Sequence, residues 1–291
     1  MTSDHHPRAD LHIHSVYSDG TYSVREIVEK ARTLELRAIS ITDHDTIDSI
    51  GEALELTKDS ALEVIPGIEF SSKLGETSIH ILAYFVNPGN ADLVEYLELC
   101  EKRRQIRTEK MVKILQEEGF DITMDKVLSV AEGGVLGRPH IAEALLDVSE
   151  YRTVSQVFRD YLVKGKPGYV AKPTFNVSEI IELVHNSGGV CSLAHPKTIG
   201  DDSVIPKLVQ RGLDAIEVVH SSHTLHDVEK YSALADQFDL VLSGGSDCHG
   251  TRLGQEVMGR FTISTEQVAR LRSRSQYEDI SNRNITLDYK E

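Results

Sequence analysis

The sequence predicts an α/β protein, a barrel-like fold interrupted by a mostly helical insertion. Three observations carry this. Short runs rich in Ile, Val, Leu and Ala alternate with stretches of helical pattern, and each run ends in a His, Asp or Glu. In the long interval from Phe85 to Val190 that alternation lapses. Alternating β and α units of this length imply parallel strands, with functional residues gathered at the strands' carboxyl ends.

Taken in order, the run Ala9 to Ile13 ends at His14, and a helix follows over Ser23 to Leu34. Ala38 to Thr42 ends at His44, with a helix over Ser49 to Lys58, and Leu62 to Pro66 ends near Glu69. Buried strands have this apolar character. Only Phe70 to Ile79 separates Glu69 from His80, too short for a helical crossover, and Gly75 suggests a hairpin. Its second strand, Ser78 to Phe85, would run backwards and return His80 to the end that holds Glu69. Asn87, Pro88 and Gly89 then open the insertion. Its helices are expected over Ala91 to Glu118, stopping at Gly119, over Pro139 to Leu146 and over Val154 to Val163. Lys164 to Pro173, with Gly165, Pro167 and Gly168, reads as the return linker.

Alternation resumes with a helix at Ser178 to Asn186 and a strand at Val190 to Ala194 ending at His195. A helix at Ser203 to Arg211, a strand at Ala215 to Val219 ending at His220, and a helix at His226 to Gln237 follow. Leu240 to Ser243 leads into Asp247 and His249. The expected organisation is a barrel domain from 8–86 and 174–272, an inserted helical subdomain at 87–173, and a polar tail at 273–291 with a short strand at Ile285 to Tyr289.

At 291 residues the chain can bury a substantial core, and 40% hydrophobic with 26% charged residues excludes fibrous and low-complexity classes. No run approaches the roughly 20 apolar residues of a membrane span. Met1 to His14 lacks the apolar stretch of a signal peptide, so a cytoplasmic location without membrane partners is expected. Cys100, Cys191 and Cys248 are odd in number and far apart, which fits a reducing compartment. A formal charge of -15 repels duplex nucleic acid. Against that background Glu101 to Lys113 carries six basic residues and two acidic ones, a patch suited to a small anion.

The chemistry starts at His12-Ile13-His14, because residues i and i+2 on a strand share a face and can grip one ion. An isolated HxH is more often a pair of hydrogen-bonded core histidines. This one is accompanied by Asp19, His44, Glu69, His80, His195, Asp247 and His249, giving nine donors. Burying six histidines and three carboxylates without cations costs several kcal/mol per unpaired charge, a penalty that divalent metals relieve. Nine ligands exceed one ion's needs and suit two or three. Imidazole and carboxylate donors favour Mn, Fe or Zn over Ca or Mg, with Mn the first expectation. Cys248, a lone thiol among hard donors, reads as a small packing residue.

The order HxH, Asp19, Thr42-Asp43-His44-Asp45, Glu69, His80, Ala194-His195-Pro196 and Ser246-Asp247-Cys248-His249-Gly250 resembles the PHP (polymerase and histidinol phosphatase) domain, in its stand-alone phosphoesterase branch. The resemblance runs from about Ala9 to Gly254 and implies a distorted (β/α)7 barrel. It implies that one ion takes His12, His14, Glu69 and Asp247, and that a second shares Glu69 and takes His80 and His195. Asp19, His44 and His249 would hold a third ion or contact the substrate phosphate. The implied reaction is attack on phosphorus by a metal-bound hydroxide between ions about 4 Å apart, with no protein nucleophile. Within the branch, substrates suggested are nucleoside 3′,5′-bisphosphates losing their 3′-phosphate and short RNA degraded from its 5′ end; histidinol phosphate, the substrate of another branch whose insertion differs from this one, is a further alternative. The bisphosphate is the leading expectation. An inactive metal-binding scaffold would show missing ligands, and none is missing.

Candidates for a substrate clamp lie in the insertion. Arg104 and Arg107, at i and i+3, can present two guanidinium groups to one phosphate, and Arg138-Pro139-His140 opens a helix whose free N–H groups favour an anion. His220 and His223 could line the pocket but read first as supporting or surface residues, and His5, His6 and His185 as non-functional.

Overall fold

The computed structural model describes residues 8–131, 135–172, 174–251 and 256–276. The first half of the chain forms β1 (Arg8–Ile13), α1 (Val24–Thr33), β2 (Ala38–Ile41), α2 (Asp48–Thr57), β3 (Glu63–Val64), β4 (Gly67–Leu74) and β5 (Thr77–Tyr84). Helices α3 (Ala91–Glu117), α4 (Met124–Ala131), α5 (Arg138–Leu146) and α6 (Val154–Val157), extended by a π-helical turn at Phe158–Leu162, come next. The chain then makes β6 (Phe175–Asn176), α7 (Val177–Asn186), β7 (Val190–Leu193), α8 (Val204–Val209), β8 (Ala215–Val219), α9 (Leu225–Phe238), β9 (Val241–Gly244), β10 (Ile263–Ser264) and α10 (Thr265–Arg274). Among the described residues no helix is long and apolar enough to cross a membrane.

Two sheets, ordered β10-β1-β2-β3 and β6-β4-β5-β7-β8-β9, meet at both sides. Beyond β9, Asp247 N–H donates to His12 O at 2.8 Å and His14 N–H to Cys248 O at 2.9 Å. Across the ring, Glu69 N–H donates to Asp43 O at 3.2 Å and Asp45 N–H to Glu69 O at 3.1 Å. The seams are therefore sewn by the backbone of the residues that carry the candidate donors. They close β1, β2, β4, β5, β7, β8 and β9 into a distorted (β/α)7 barrel with β5 reversed. Helix α3 starts in the barrel's apolar cluster at Leu93 and Leu97. It ends in a second cluster with Met111, Leu115, Ile122, Ile141, Leu145 and Val157.

The run read as one strand ending near Glu69 is two strands in different sheets. β3 pairs with β2, and Glu69 is the third residue of β4. Pro66 has no N–H for the ladder, while its carbonyl accepts Phe85 N–H at 2.8 Å, and any Cβ on Gly67 would collide with Ser40 Oγ. His80 pairs with Ser71, so it stands diagonal to Glu69 on the same face. Helices α4 and α10 and strands β6 and β10 were not anticipated. Only Val268 and Leu271 of α10 are buried, too few for a readable period, and the helix runs across the expected boundary at 272/273. The strand expected at Ile285 to Tyr289, the linker's Pro173, Gly254, and His5 and His6 lie outside the described residues.

At the amino-terminal ends of β7 and β8, away from the candidate donors, His185 Nε2 lies 2.8 Å from Asp214 Oδ2, which also accepts Cys191 N–H at 2.8 Å. The Asp214 hydrogen bond raises the His185 pKa above 6.5. A raised folded pKa adds stability that is fully present below the unfolded value and lost as pH rises through the folded one. His185 is 39% exposed, so the expected gain is about 0.5 kcal/mol or less. Thermal melts of His185→Asn and the parent protein in EDTA should differ below pH 6.5 and converge at alkaline pH. A constant gap would remove the ion pair as its cause.

Candidate metal centre

Strand alternation on β1 turns Asp10, His12 and His14 to one face, all fully buried. Asp10 accepts the N–H groups of Ser246 and Gly259, each at 2.8 Å, and so holds the loop that carries Asp247. Burial pushes its carboxyl up to about 6. Asp43 accepts Ser15 N–H at 2.8 Å and the hydroxyls of Ser15 and Ser18, fixing the turn that presents Asp19.

Glu69, 1% exposed, is the hub. Its Oε1 lies 2.7 Å from His80 Nδ1 and 3.0 Å from His195 Nε2. Its Oε2 lies 3.2 Å from His12 Nε2, 3.1 Å from His14 Nε2 and 3.3 Å from His44 Nδ1. Asp247 Oδ1 is 3.1 Å from His14 Nε2 and 3.2 Å from His12 Nε2. Asp19 Oδ1 is 3.3 Å from His249 Nε2, and its Oδ2 is 3.9 Å from His44 Nε2. All nine side chains singled out in the sequence share this one mouth. Donor atoms of His12, His14, Glu69 and Asp247 lie within 4.8 Å of one another, as do those of His14, Asp19, His44 and His249. His44 also groups with Glu69 and His80, so it reaches both sides of the mouth.

Burial alone would raise the carboxyls, yet His44, His12 and His80 hold Glu69 well below the usual range, and His12, His14 and His220 do the same for Asp247. Burial works against charge on His14, but Asp247 and Glu69 outweigh it and lift the ring to about 10. Burial dominates at His44, which falls to about 3. Among the described residues no Lys or Arg forms an ion pair with Glu69, Asp247 or Asp19. His44 Nδ1 is buried and makes no hydrogen bond. This set of imidazole and carboxylate oxygen donors, with one ring nitrogen otherwise unused, fits divalent transition ions. Thr198 supports that chemistry: its hydroxyl donates to His195 O at 2.9 Å, so it accepts from His195 Nδ1, also at 2.9 Å, and leaves Nε2 as a donor atom. Cys248 forms a β-bridge with Ile13 and belongs with it to an apolar cluster.

Three residues at the mouth, Asp45 (φ 53), His195 (φ 28) and Asp247 (φ 53), occupy the left-handed backbone region. Non-glycine residues held there mark functional constraint. Arg104 of the expected clamp reaches the mouth, with Nη2 2.6 Å from Asp45 Oδ2. The other three are hydrogen-bonded within the insertion. Arg107 is buried and donates to Val170 O at 2.9 Å, and Arg138 donates to Leu162 O at 3.1 Å. His140 Nδ1 accepts Gly137 N–H at 3.2 Å and closes the start of its own helix.

Lys172 and Glu217 escape the sequence reading, and Arg103 enters it only as part of the basic patch. Lys172 Nζ lies 3.3 Å from Asp45 Oδ2 and touches Ser71 Oγ. Arg103 stacks 4.4 Å above the Phe175 ring, and Asp45, Ser71, Arg103, Arg104, Lys172 and Phe175 line a narrow cleft. Glu217 contacts His12 Nδ1 at 2.9 Å. Its one visible signal is a carboxylate in the middle of an apolar strand. His220, read as supporting, places Nε2 3.3 Å from Asp247 Oδ2.

Residues 10–187 match the PHP domain. Over 247 residues the chain is 30% identical to the 5′-3′ exoribonuclease Rnm of Escherichia coli, covering 82% of this chain and 84% of that one. It is 28% identical to the 3′,5′-nucleoside bisphosphate phosphatase of Chromobacterium violaceum, covering 86% of this chain and 90% of the relative. The fold matches the crystal structure of a protein from Bifidobacterium adolescentis assigned as a metal-dependent phosphoesterase. The TM-score is 0.83 at 32% identity, over 92% of this chain and 96% of that one.

Proposed function

The chain belongs to the PHP domain family and is a metal-dependent phosphoesterase; from that premise we propose that it removes the 3′-phosphate from nucleoside 3′,5′-bisphosphates. His12, His14, Glu69 and Asp247 hold one divalent ion, and Glu69, His80 and His195 hold its neighbour. Asp19, His44 and His249 hold a third ion or grip the scissile phosphate. Manganese is the first choice and iron or zinc the alternatives. When bound, such ions supply Lewis acidity to the phosphoryl oxygens and lower the pKa of a bound water.

The observation that carries the substrate is the pairing of Arg104 and Lys172 with one carboxylate, Asp45, beside His44. Two cations against one anion leave a positive surplus next to the metal donors, in a protein of charge -15. That is a seat for a second phosphate, which a bisphosphate has and a simple monoester lacks. Charge-assisted contacts there orient the substrate so that its 3′-phosphate meets the mouth. The free cysteines are all buried and fit the reducing cytoplasm, where we place the protein.

With added manganese, the protein is expected to release inorganic phosphate from adenosine 3′,5′-bisphosphate. A second reading, 5′-to-3′ degradation of short RNA, is favoured by the comparable similarity to an exoribonuclease. Its signature is stepwise shortening of 5′-phosphorylated RNA oligomers with no phosphate released from the bisphosphate.

A further inference from the structure

Glu217 lies in the middle of β8, fully buried between Ile216 and Val218. Among the described residues no Lys or Arg pairs with it. One oxygen, Oε1, is 2.9 Å from His12 Nδ1, and the other, Oε2, accepts His195 N–H at 2.7 Å. A buried carboxylate is costly unless its contacts offset the lost water, so these two contacts define its place in the structure. They reach residues assigned above to two different ions.

We propose that Glu217 is a positioning residue that yokes the two metal seats, fixing the ring of His12 through Nδ1 and the backbone of His195 through its N–H. The inference rests on the metal-centre reading above. A carboxylate can only accept, so it selects the His12 tautomer that carries hydrogen on Nδ1 and turns Nε2 towards Glu69 and Asp247, each 3.2 Å away. At His195 the backbone is left-handed, with φ 28 and ψ 59. A conformation of that kind persists only where surrounding contacts over-determine it, and Oε2 supplies one. From that backbone the His195 ring reaches Glu69 Oε1 at 3.0 Å. One buried carboxylate thus sets the direction of a ligand on each side of Glu69.

Glu217→Gln separates this role from simple packing, because the amide keeps the shape and changes one acceptor into a donor. The His195 N–H cannot change its role, so the amide oxygen stays there and the NH2 faces His12 Nδ1. That arrangement favours the His12 tautomer with hydrogen on Nε2, the nitrogen that must be free for metal. Manganese affinity by titration calorimetry is expected to fall about 10- to 100-fold. The value of kcat should recover at saturating manganese, because the lesion is in loading.

Wild-type affinity in Glu217→Gln overturns the inference, as does a loss of kcat that no manganese concentration restores. Failure of the parent protein itself to bind manganese overturns the metal-centre reading, and this inference with it. Should the variant not fold, the nitrogen-15 spectrum of the zinc-loaded parent protein decides. Hydrogen on His12 Nδ1 supports the yoke, and hydrogen on Nε2 overturns it.

Discussion

Glu69→Gln is expected to lower phosphoesterase turnover by about 10³-fold or more while the protein still folds. Removing the charge shared between two cation seats forfeits several kcal/mol of transition-state stabilisation, and roughly 4 kcal/mol corresponds to that factor. Both oxygens of Glu69 are committed, Oε1 to His80 and His195, Oε2 to His12, His14 and His44. An amide offers one acceptor in place of two and turns a donor towards rings that must themselves bind metal. The fold survives for two reasons. The backbone bonds from Glu69 to Asp43 and Asp45 do not involve the side chain, and Asp247 Oδ1 remains 3.2 Å from His12 Nε2 and 3.1 Å from His14 Nε2 as a counter-charge. Turnover of adenosine 3′,5′-bisphosphate, manganese content after dialysis and a metal-free melt check the three parts. Turnover within tenfold of the parent protein would remove Glu69 from the centre of the chemistry.

What could be read in the sequence, and what could not, follows from the range of the interactions. HxH, the Asp-His-Asp after β2 and the Asp-Cys-His after β9 are local, because a strand's period of two and its carboxyl end place those donors without reference to the rest of the chain. The hairpin that returns His80 to Glu69 was legible from a gap too short for a helix. The break between β3 and β4 was not, because it depends on Gly67 packing against Ser40 in a neighbouring strand. Lys172 sits in a Gly- and Pro-rich return segment with no period, and the pairing of β6 with β4, Phe175 opposite Ser72, brings it to Asp45. Spacing places Arg104 and Arg107 on one helix face, but the carbonyl of Val170 claims Arg107 and that carbonyl is set by tertiary structure. Glu217 was passed over because strands were read by their ends.

Asp45→Asn is expected to destabilise the protein and, against that trend, to strengthen its hold on inorganic phosphate. Burial alone would raise the Asp45 carboxyl, but Lys172 and Arg104 hold it well below the usual range. A guanidinium keeps its charge, and although burial lowers the pKa of Lys172, losing this anion leaves both Arg104 and Lys172 without their counter-charge. Removing one partner of a buried pair costs about 3–5 kcal/mol. Arg104 is 12% exposed and Lys172 is 34% exposed, and solvent screening of the lysine brings the expectation down to roughly 2–3 kcal/mol. For a chain of this size that is a fall of about 3–5 °C in Tm. Asparagine keeps the hydrogen bond from Ser71 N–H to Oδ1, at 2.8 Å, and tolerates the left-handed backbone at φ 53, so the loss reports the Oδ2 contacts with Arg104 and Lys172. The freed cations then have no internal anion, and a phosphate that completes them gains a charge-assisted contact, about tenfold in affinity. Added phosphate should therefore raise the Tm of Asp45→Asn more than that of the parent protein. An unchanged Tm would mean that the ion pairs contribute nothing to stability, and equal phosphate shifts would mean that Arg104 and Lys172 are no seat for the second phosphate.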